Sequence, residues 1–137
     1  MRVFLDTNII VDFYAQREGH YHAAALIMTL AWKGEIELIV SSITFVNAFF
    51  LLRKDYSADE LYEKMDVLAS MCEISVVDGE KIKDALKMGE RDFEDSVQWL
   101  SANSCNADVI VTRDKHFRDY QGNIKTPDQF LDDYFDN

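Results

Sequence analysis

Three short strings in this 137-residue chain carry carboxylates that folding could gather: Leu5-Asp6-Thr7-Asn8-Ile9, Asp92-Phe93-Glu94-Asp95 and Val111-Thr112-Arg113-Asp114. Asp6 and Asp114 each follow a run of aliphatic and β-branched residues, as at the C-terminal end of a buried parallel strand. Asp92 and Asp95 stand three apart at the start of an expected helix, so both point the same way. If the two strands are neighbours and the helix sits over their ends, three or four carboxyl groups converge on one crevice. Crowded carboxylates repel one another, and a bound cation is the usual remedy. A divalent-metal site is therefore the leading chemical expectation.

The elements that must position these acids follow from hydrophobic periodicity and capping signals. Val3-Phe4-Leu5 reads as a buried first strand, and the chain from Thr7 through Tyr14 as a short helix broken at Arg17-Glu18-Gly19. A second helix runs from about His20 to Trp32, with Ala24, Ile27, Met28 and Ala31 at helical spacing and Gly34 where a left-handed cap is wanted. Ile36–Val40 is the second strand, and a third helix spans about Thr44 to Lys54 on a stripe of Phe45, Ala48, Phe49 and Leu52. Ser57 and Glu60 form a capping box for a fourth helix carrying Leu61, Met65, Leu68 and Ala69. A third strand at Ile74–Val77, a fifth helix from Gly79 to Met88, a sixth from Asp92 to about Asn103 and a fourth strand at Val109–Val111 follow. Thr126-Pro127-Asp128 starts a last helix with proline in its first position, docked by Phe130, Leu131 and Tyr134, and Asn123-Ile124 could add a fifth strand.

Strands alternating with helices predict an α/β fold, a central parallel sheet of four or five strands covered by helices on both faces. In such sheets ligands collect outside the carboxyl ends of the strands, where Asp6 and Asp114 would lie.

Length suits one domain over residues 1–137, and the 48% apolar content supports a real core. One proline and five glycines leave no room for a flexible linker. The formal charge of −11, from 25 acidic against 14 basic residues, argues against a broad basic face for duplex DNA. It leaves open an enzyme gripping a short single strand at a metal-neutralised site, or a basic partner. Cys72 and Cys105 have no metal-type spacing, and together with the lack of a signal peptide they point to a reduced, cytoplasmic setting. The apolar stretch from Ala23 to Trp32 is about half the ~20 residues that a membrane span needs.

Each acid also has a structural alternative. Asp6 could cap the first helix, Asp92 the sixth, and Asp114 could close a turn before Phe117. Capping does not require both strands to end in aspartate with Asp95 beside Asp92. If Phe93, Val97 and Leu100 form the buried stripe of the sixth helix, Asp92 and Asp95 fall on a different face.

LDTNI at Leu5–Ile9, DFEDSVQ at Asp92–Gln98 and VTRD at Val111–Asp114 together resemble the three acidic motifs of PIN-domain ribonucleases, most of all the small toxin-type (VapC-like) members. The order, the spacing and the αβ alternation match over essentially the whole chain. The resemblance implies a PIN-like three-layer α/β/α sandwich. It makes Asp6, Asp95 and Asp114 ligands of Mg²⁺ or Mn²⁺, with Asp92 an additional carboxylate. The family's other acid, usually glutamate, falls early in the third helix, where this chain has Asn47. An amide oxygen can still coordinate a hard cation but brings no charge, so Asn47 is a weak ligand.

The reaction implied is metal-assisted hydrolysis of RNA phosphodiesters. The cation would polarise the phosphate and acidify a water, and one carboxylate, Asp92 for choice, would take the proton. Asn8 and Thr112 could orient the ligands through hydrogen bonds, or merely cap backbone. Arg113, Lys115 and Arg53-Lys54 could pin RNA phosphates or simply be solvated, and His116 is at most an RNA contact. The resemblance also implies an antitoxin partner and a homodimer, with no membrane. Two other readings compete: a PIN-fold interaction or RNA-binding module weakened by Asn47, and a phosphatase using Asp6 as nucleophile. A dehalogenase-type phosphatase wants a second aspartate two residues after Asp6, where Asn8 stands.

Overall fold

The computed structural model describes residues 1–136, without the side chain of residue 118. It contains β1 (Arg2–Leu5), α1 (Thr7–Tyr14), α2 (Tyr21–Trp32), β2 (Glu37–Ser41), α3 (Ser42–Leu52), α4 (Ala58–Met71) and β3 (Cys72–Ser75). These are followed by α5 (Gly79–Met88), α6 (Phe93–Ser104), β4 (Val109–Val111), a 3-10 helix at Lys115–Asp119, β5 (Ile124–Lys125) and α7 (Pro127–Phe135). All five strands are parallel, in the order β3-β2-β1-β4-β5. The chain builds outward from β1 in one direction through β2 and β3, then returns to β1's other side with β4. The seam between β1 and β4 is thus the topological switch point at which open α/β sheets present a crevice.

Strand alternation divides the core between the two faces. Val3, Leu5, Leu38, Val40, Val109 and Val111 face one side, packed against buried residues of α1 to α4 and α7. Phe4, Ile39 and Ile110 face the other, beneath Ala102 of α6 and Phe117 of the 3-10 helix. Both faces are covered, giving the three-layer sandwich that the alternation implied.

Local signals account for most boundaries. Ser57 and Glu60 form the expected capping box on α4, and Thr126 caps α7 with Pro127 in its first turn. Gly34 takes the left-handed conformation past the end of α2, at φ +76. β3 differs from expectation: it lies at Cys72–Ser75, two residues earlier than the Ile74–Val77 run. It is an edge strand entered directly from α4 and registered by Leu38 against Cys72, so Ile74 and Val76 are largely exposed. Among the described residues no helix is long and apolar enough to cross a membrane.

Candidate active site

The β1–β4 register dictates the first half of the site. Leu5 pairs with Val111, and the ladder continues one step further through the Asp6 N–H donating to the Val111 carbonyl at 3.0 Å. Asp6 and Thr112 are therefore neighbours at the strand ends. Thr112 donates its hydroxyl to Asp6 Oδ2 at 2.8 Å, and Asn8 Nδ2 donates to the same oxygen at 3.3 Å. Asp6 Oδ1 accepts from the Thr7 N–H at 2.8 Å and from Gln98 Nε2 at 3.1 Å. Four donors thus surround a buried carboxylate that also caps α1. Burial raises the Asp6 pKa, an effect that the bonds from Thr112, Gln98 and Thr7 oppose.

Gln98 is completely buried and knits the layers together. Its Nε2 also donates to Thr44 Oγ1 at 3.0 Å and Thr7 Oγ1 at 3.3 Å, while its Oε1 accepts from Ser41 Oγ at 2.5 Å. One amide so ties β1, β2, α1, α3 and α6 behind the carboxylates. The sixth helix therefore faces inward differently from the expected stripe. Phe93 is exposed, and Asp95, Gln98, Ser101 and Ala102 are buried beside Val97. The inward face is polar because it meets the hydroxyls of Ser41, Thr44 and Ser75, with Ser75 and Ser101 hydrogen-bonded to each other.

Asp92 caps α6, its Oδ1 accepting from the Asp95 N–H at 3.2 Å. Asp114 caps the 3-10 helix, its Oδ1 accepting from the His116 N–H at 2.9 Å, while its own N–H donates to Thr112 Oγ1 at 3.0 Å. The structural alternatives for Asp6, Asp92 and Asp114 are thus realised, and each cap also aims its carboxyl at common space. Asp6, Asp92, Glu94, Asp95 and Asp114 line one cavity of about 190 Å³, with Arg17 on its wall. Asp92, Asp95, Asp114 and His116 each offer a ligand atom, all within 4.8 Å of one another. Asp6 lines the same cavity, held in the strand seam by its four donors, and lies outside that compact set.

Asp95 is the strained member. It is 4% exposed, and its Oδ2 is the buried side-chain oxygen that has no hydrogen-bond partner among the described residues. Burial first, then Asp114 by hydrogen bonding and like charge, then Asp6 and Asp92, push its pKa up to about 9. An orphaned carboxylate oxygen facing further hard donors is what a divalent cation satisfies, so the residues present fit one.

The remaining expected residues are placed as follows. Asn8 Oδ1 lies 3.4 Å from the Arg113 N–H, and its Nδ2 bonds Asp6, which makes it a brace between the strand ends. Arg113 is spent on Asp12, which is 1% exposed, through Nε at 2.5 Å and a second nitrogen at 2.9 Å. Asn47, half-buried on α3, hydrogen-bonds Glu94 at the rim of the crevice. Glu94 at the rim has its pKa raised, first by lost solvation and then by the charge of Asp6. Gln98, Glu94, Arg17 and Asp12 carry no site role in the sequence reading, and His116 only that of an RNA contact. The available signal for Gln98 was its i+3 spacing from Asp95, on the same helical face.

The parallel sheet, with helices on both faces and a carboxylate crevice at its switch point, places the chain among doubly wound α/β proteins. Within that class, residues 2–116 match the PIN domain model, and the chain belongs to the PIN domain family. It is 22% identical over 136 residues to Ribonuclease VapC1 of Aquifex aeolicus, covering 96% of this chain and 94% of that protein. Among solved structures it resembles a toxin–antitoxin complex from Klebsiella pneumoniae, with a TM-score of 0.67, 21% identity and coverage of 91% of this chain and 97% of that one. It also resembles VapC20 of Mycobacterium tuberculosis, a sarcin–ricin loop cleaving toxin, with a TM-score of 0.68, 14% identity and coverage of 85% and 92%.

Proposed function

We propose that this protein, as one PIN-like domain over residues 1–137, is a divalent-metal-dependent endoribonuclease and the toxin of a toxin–antitoxin pair. The observation that carries the reading is the bare, buried Asp95 Oδ2 in a crevice where ligand atoms of Asp92, Asp95, Asp114 and His116 all lie within 4.8 Å of one another. Family membership and the likeness to Ribonuclease VapC1 supply the substrate class. Asp95 and Asp114 would hold Mg²⁺ or Mn²⁺, with Asp6 reaching the same ion from the strand seam and Asn47 contributing weakly if at all. The cation, when bound, polarises the scissile phosphate and neutralises developing charge.

This chain's own groups do the rest. Thr112, Asn8 and Gln98 hold Asp6 in one orientation, and Arg113 bound to Asp12 anchors the loop that carries Asp114. Asp92, half-buried at the rim, would accept a proton from the attacking water. Arg17, which lines the cavity and lies 3.4 Å from Asp12, would contact a phosphate oxygen.

For partners, an apolar groove of about 590 Å³ runs between α1, α2 and α4, lined by Phe13, Tyr21, Met28, Trp32 and Val67. Trp32 is mostly exposed there, and we assign the groove to an apolar segment of a cognate antitoxin. We further propose a homodimer, to which the exposed Val46 and Phe50 on α3 offer apolar surface.

The test is cleavage of a structured RNA by wild type, Asp6→Ala and Asp95→Asn with Mn²⁺, Mg²⁺ or chelator. Activity in wild type alone, abolished by chelator, supports the proposal, and equal activity in all three proteins removes it. Because Asn47 brings no charge, a module without turnover is the second reading. Wild type inactive and Asn47→Glu active would favour it.

A further inference from the structure

We propose that His116 is a nitrogen ligand of the same cation, and that it biases the site toward first-row transition-metal dications over Mg²⁺. The inference rests on the metal-dependent reading above and adds which ion the chain selects. The sequence pattern left His116 as no more than an RNA contact. Three observations move it into the site.

The first is placement by the backbone. Asp114 Oδ1 accepts the His116 N–H at 2.9 Å, and the His116 Nδ1 lies 3.3 Å from that same oxygen. The cap that orients Asp114 therefore also brings the imidazole alongside it. The second is spacing. Ligand atoms of Asp92, Asp95, Asp114 and His116 lie within 4.8 Å of one another. Two donors on opposite sides of a cation, each at about 2.1 Å, are ~4.2 Å apart, so the group needs only a slight contraction to close on one ion. The third is the unpartnered, buried Oδ2 of Asp95 in the same crevice, which no protein group satisfies among the described residues.

The chemistry then discriminates between ions. Mg²⁺ takes oxygen ligands at near-ideal octahedral geometry and retains its waters, so an imidazole adds little. Mn²⁺ and the ions after it accept nitrogen more readily, with affinity rising along the series. The other two histidines, His20 and His22, lie outside this cluster. His116 is exposed, so removing it leaves the core untouched.

The experiment uses the full chain as wild type, His116→Ala, His116→Gln and Asp95→Asn. Mn²⁺ and Mg²⁺ affinities are measured by isothermal titration calorimetry, and pulsed electron paramagnetic resonance is recorded on the Mn²⁺-loaded proteins. The expected result is a loss of about tenfold or more in Mn²⁺ affinity in both His116 variants, with Mg²⁺ affinity nearly unchanged. Imidazole nitrogen coupling to Mn²⁺ should be present in wild type and absent in both variants. Equal losses for the two ions, or no nitrogen coupling in wild type, overturns the assignment of His116. Binding abolished in Asp95→Asn but unchanged in the His116 variants overturns it too, while leaving the metal site standing. Wild type that binds neither ion overturns both.

Discussion

Replacing Asp95 by asparagine is expected to stabilise the metal-free protein while abolishing its affinity for a divalent cation. In the unfolded chain this carboxyl ionises near 3.8, and in the fold it is pushed up to about 9, chiefly by burial and by Asp114. At pH 7 folding must therefore protonate it. The roughly three units between the unfolded value and pH 7, at about 1.4 kcal/mol each, set a ceiling of ~4 kcal/mol on the penalty. Relaxation of the crevice and entry of water reduce that, so a gain of about 1–2 kcal/mol is expected on substitution. With about 4 °C per kcal/mol for a chain of this size, the melting temperature in chelator should rise by roughly 4–8 °C.

The sign depends on pH in a defined way. Because the folded pKa is raised, the native state binds more protons than the unfolded one from about 4 to about 9, and wild-type stability falls as pH rises through that window. Asparagine removes this slope, so the gain should be small at pH 5 and larger at pH 7. A cation reverses the order. At a hundred times its dissociation constant it stabilises wild type by about 2.7 kcal/mol and leaves the variant unmoved. Circular dichroism melts at pH 5, 7 and 9, with chelator or with Mn²⁺, would show the two proteins exchanging rank. A variant that melts below wild type in chelator at pH 7, or a difference independent of pH, would refute the electrostatic account of Asp95.

Three further outcomes follow from the supporting contacts. Gln98→Ala removes one of the four donors to Asp6 and one partner each from Thr44 and Ser41, and should cost about 2–4 kcal/mol in urea unfolding, with cleavage reduced as the hold on Asp6 loosens. Arg113→Ala leaves the buried Asp12 with only the longer contact to Arg17 and should destabilise by about 3–5 kcal/mol. Arg113→Lys should recover little of it, since two nitrogens grip the carboxylate at once, and the pair of variants can be compared by denaturant titration. Ser57→Ala removes the α4 capping box, far from the crevice, and should cost about 1 kcal/mol without altering metal affinity by calorimetry.

Most of the scaffold was legible because its signals are local. Val109–Val111 has no reading but a buried strand, Thr126-Pro127 announces a helix start, and Ser57 with Glu60 another. Asp6 and Asp114 were legible as strand-end acids because the strands before them are unambiguous. On α6 the apolar stripe of Phe93, Val97 and Leu100 is not as a whole the face turned inward. Phe93 is exposed and Gln98 is buried, because the layer opposite is a set of hydroxyls contributed by β2, α3 and β3. Periodicity weighs side chains against an apolar interior, and it has no means of anticipating a polar one assembled from distant segments. β3 was displaced for the same reason: its register is set by Leu38 against Cys72, not by its own hydrophobicity.

The acids of the crevice are treated unequally by the fold, and that inequality says more than their number. Asp6 receives four donors, which offset part of the lost solvation that raises its pKa and leave both of its oxygens hydrogen-bonded with or without a ligand. Asp95, three residues from Gln98 on the same helix, receives none on its buried oxygen. A purely structural aspartate at that place could have been given a hydroxyl, as Asp6 was given Thr112, and hydroxyls are abundant along the inward face of α6. Leaving that one oxygen bare destabilises the protein alone and lowers its energy only when something cationic arrives. The strain is therefore located where chemistry would use it, on a carboxylate that shares its crevice with Asp92, Asp114 and His116.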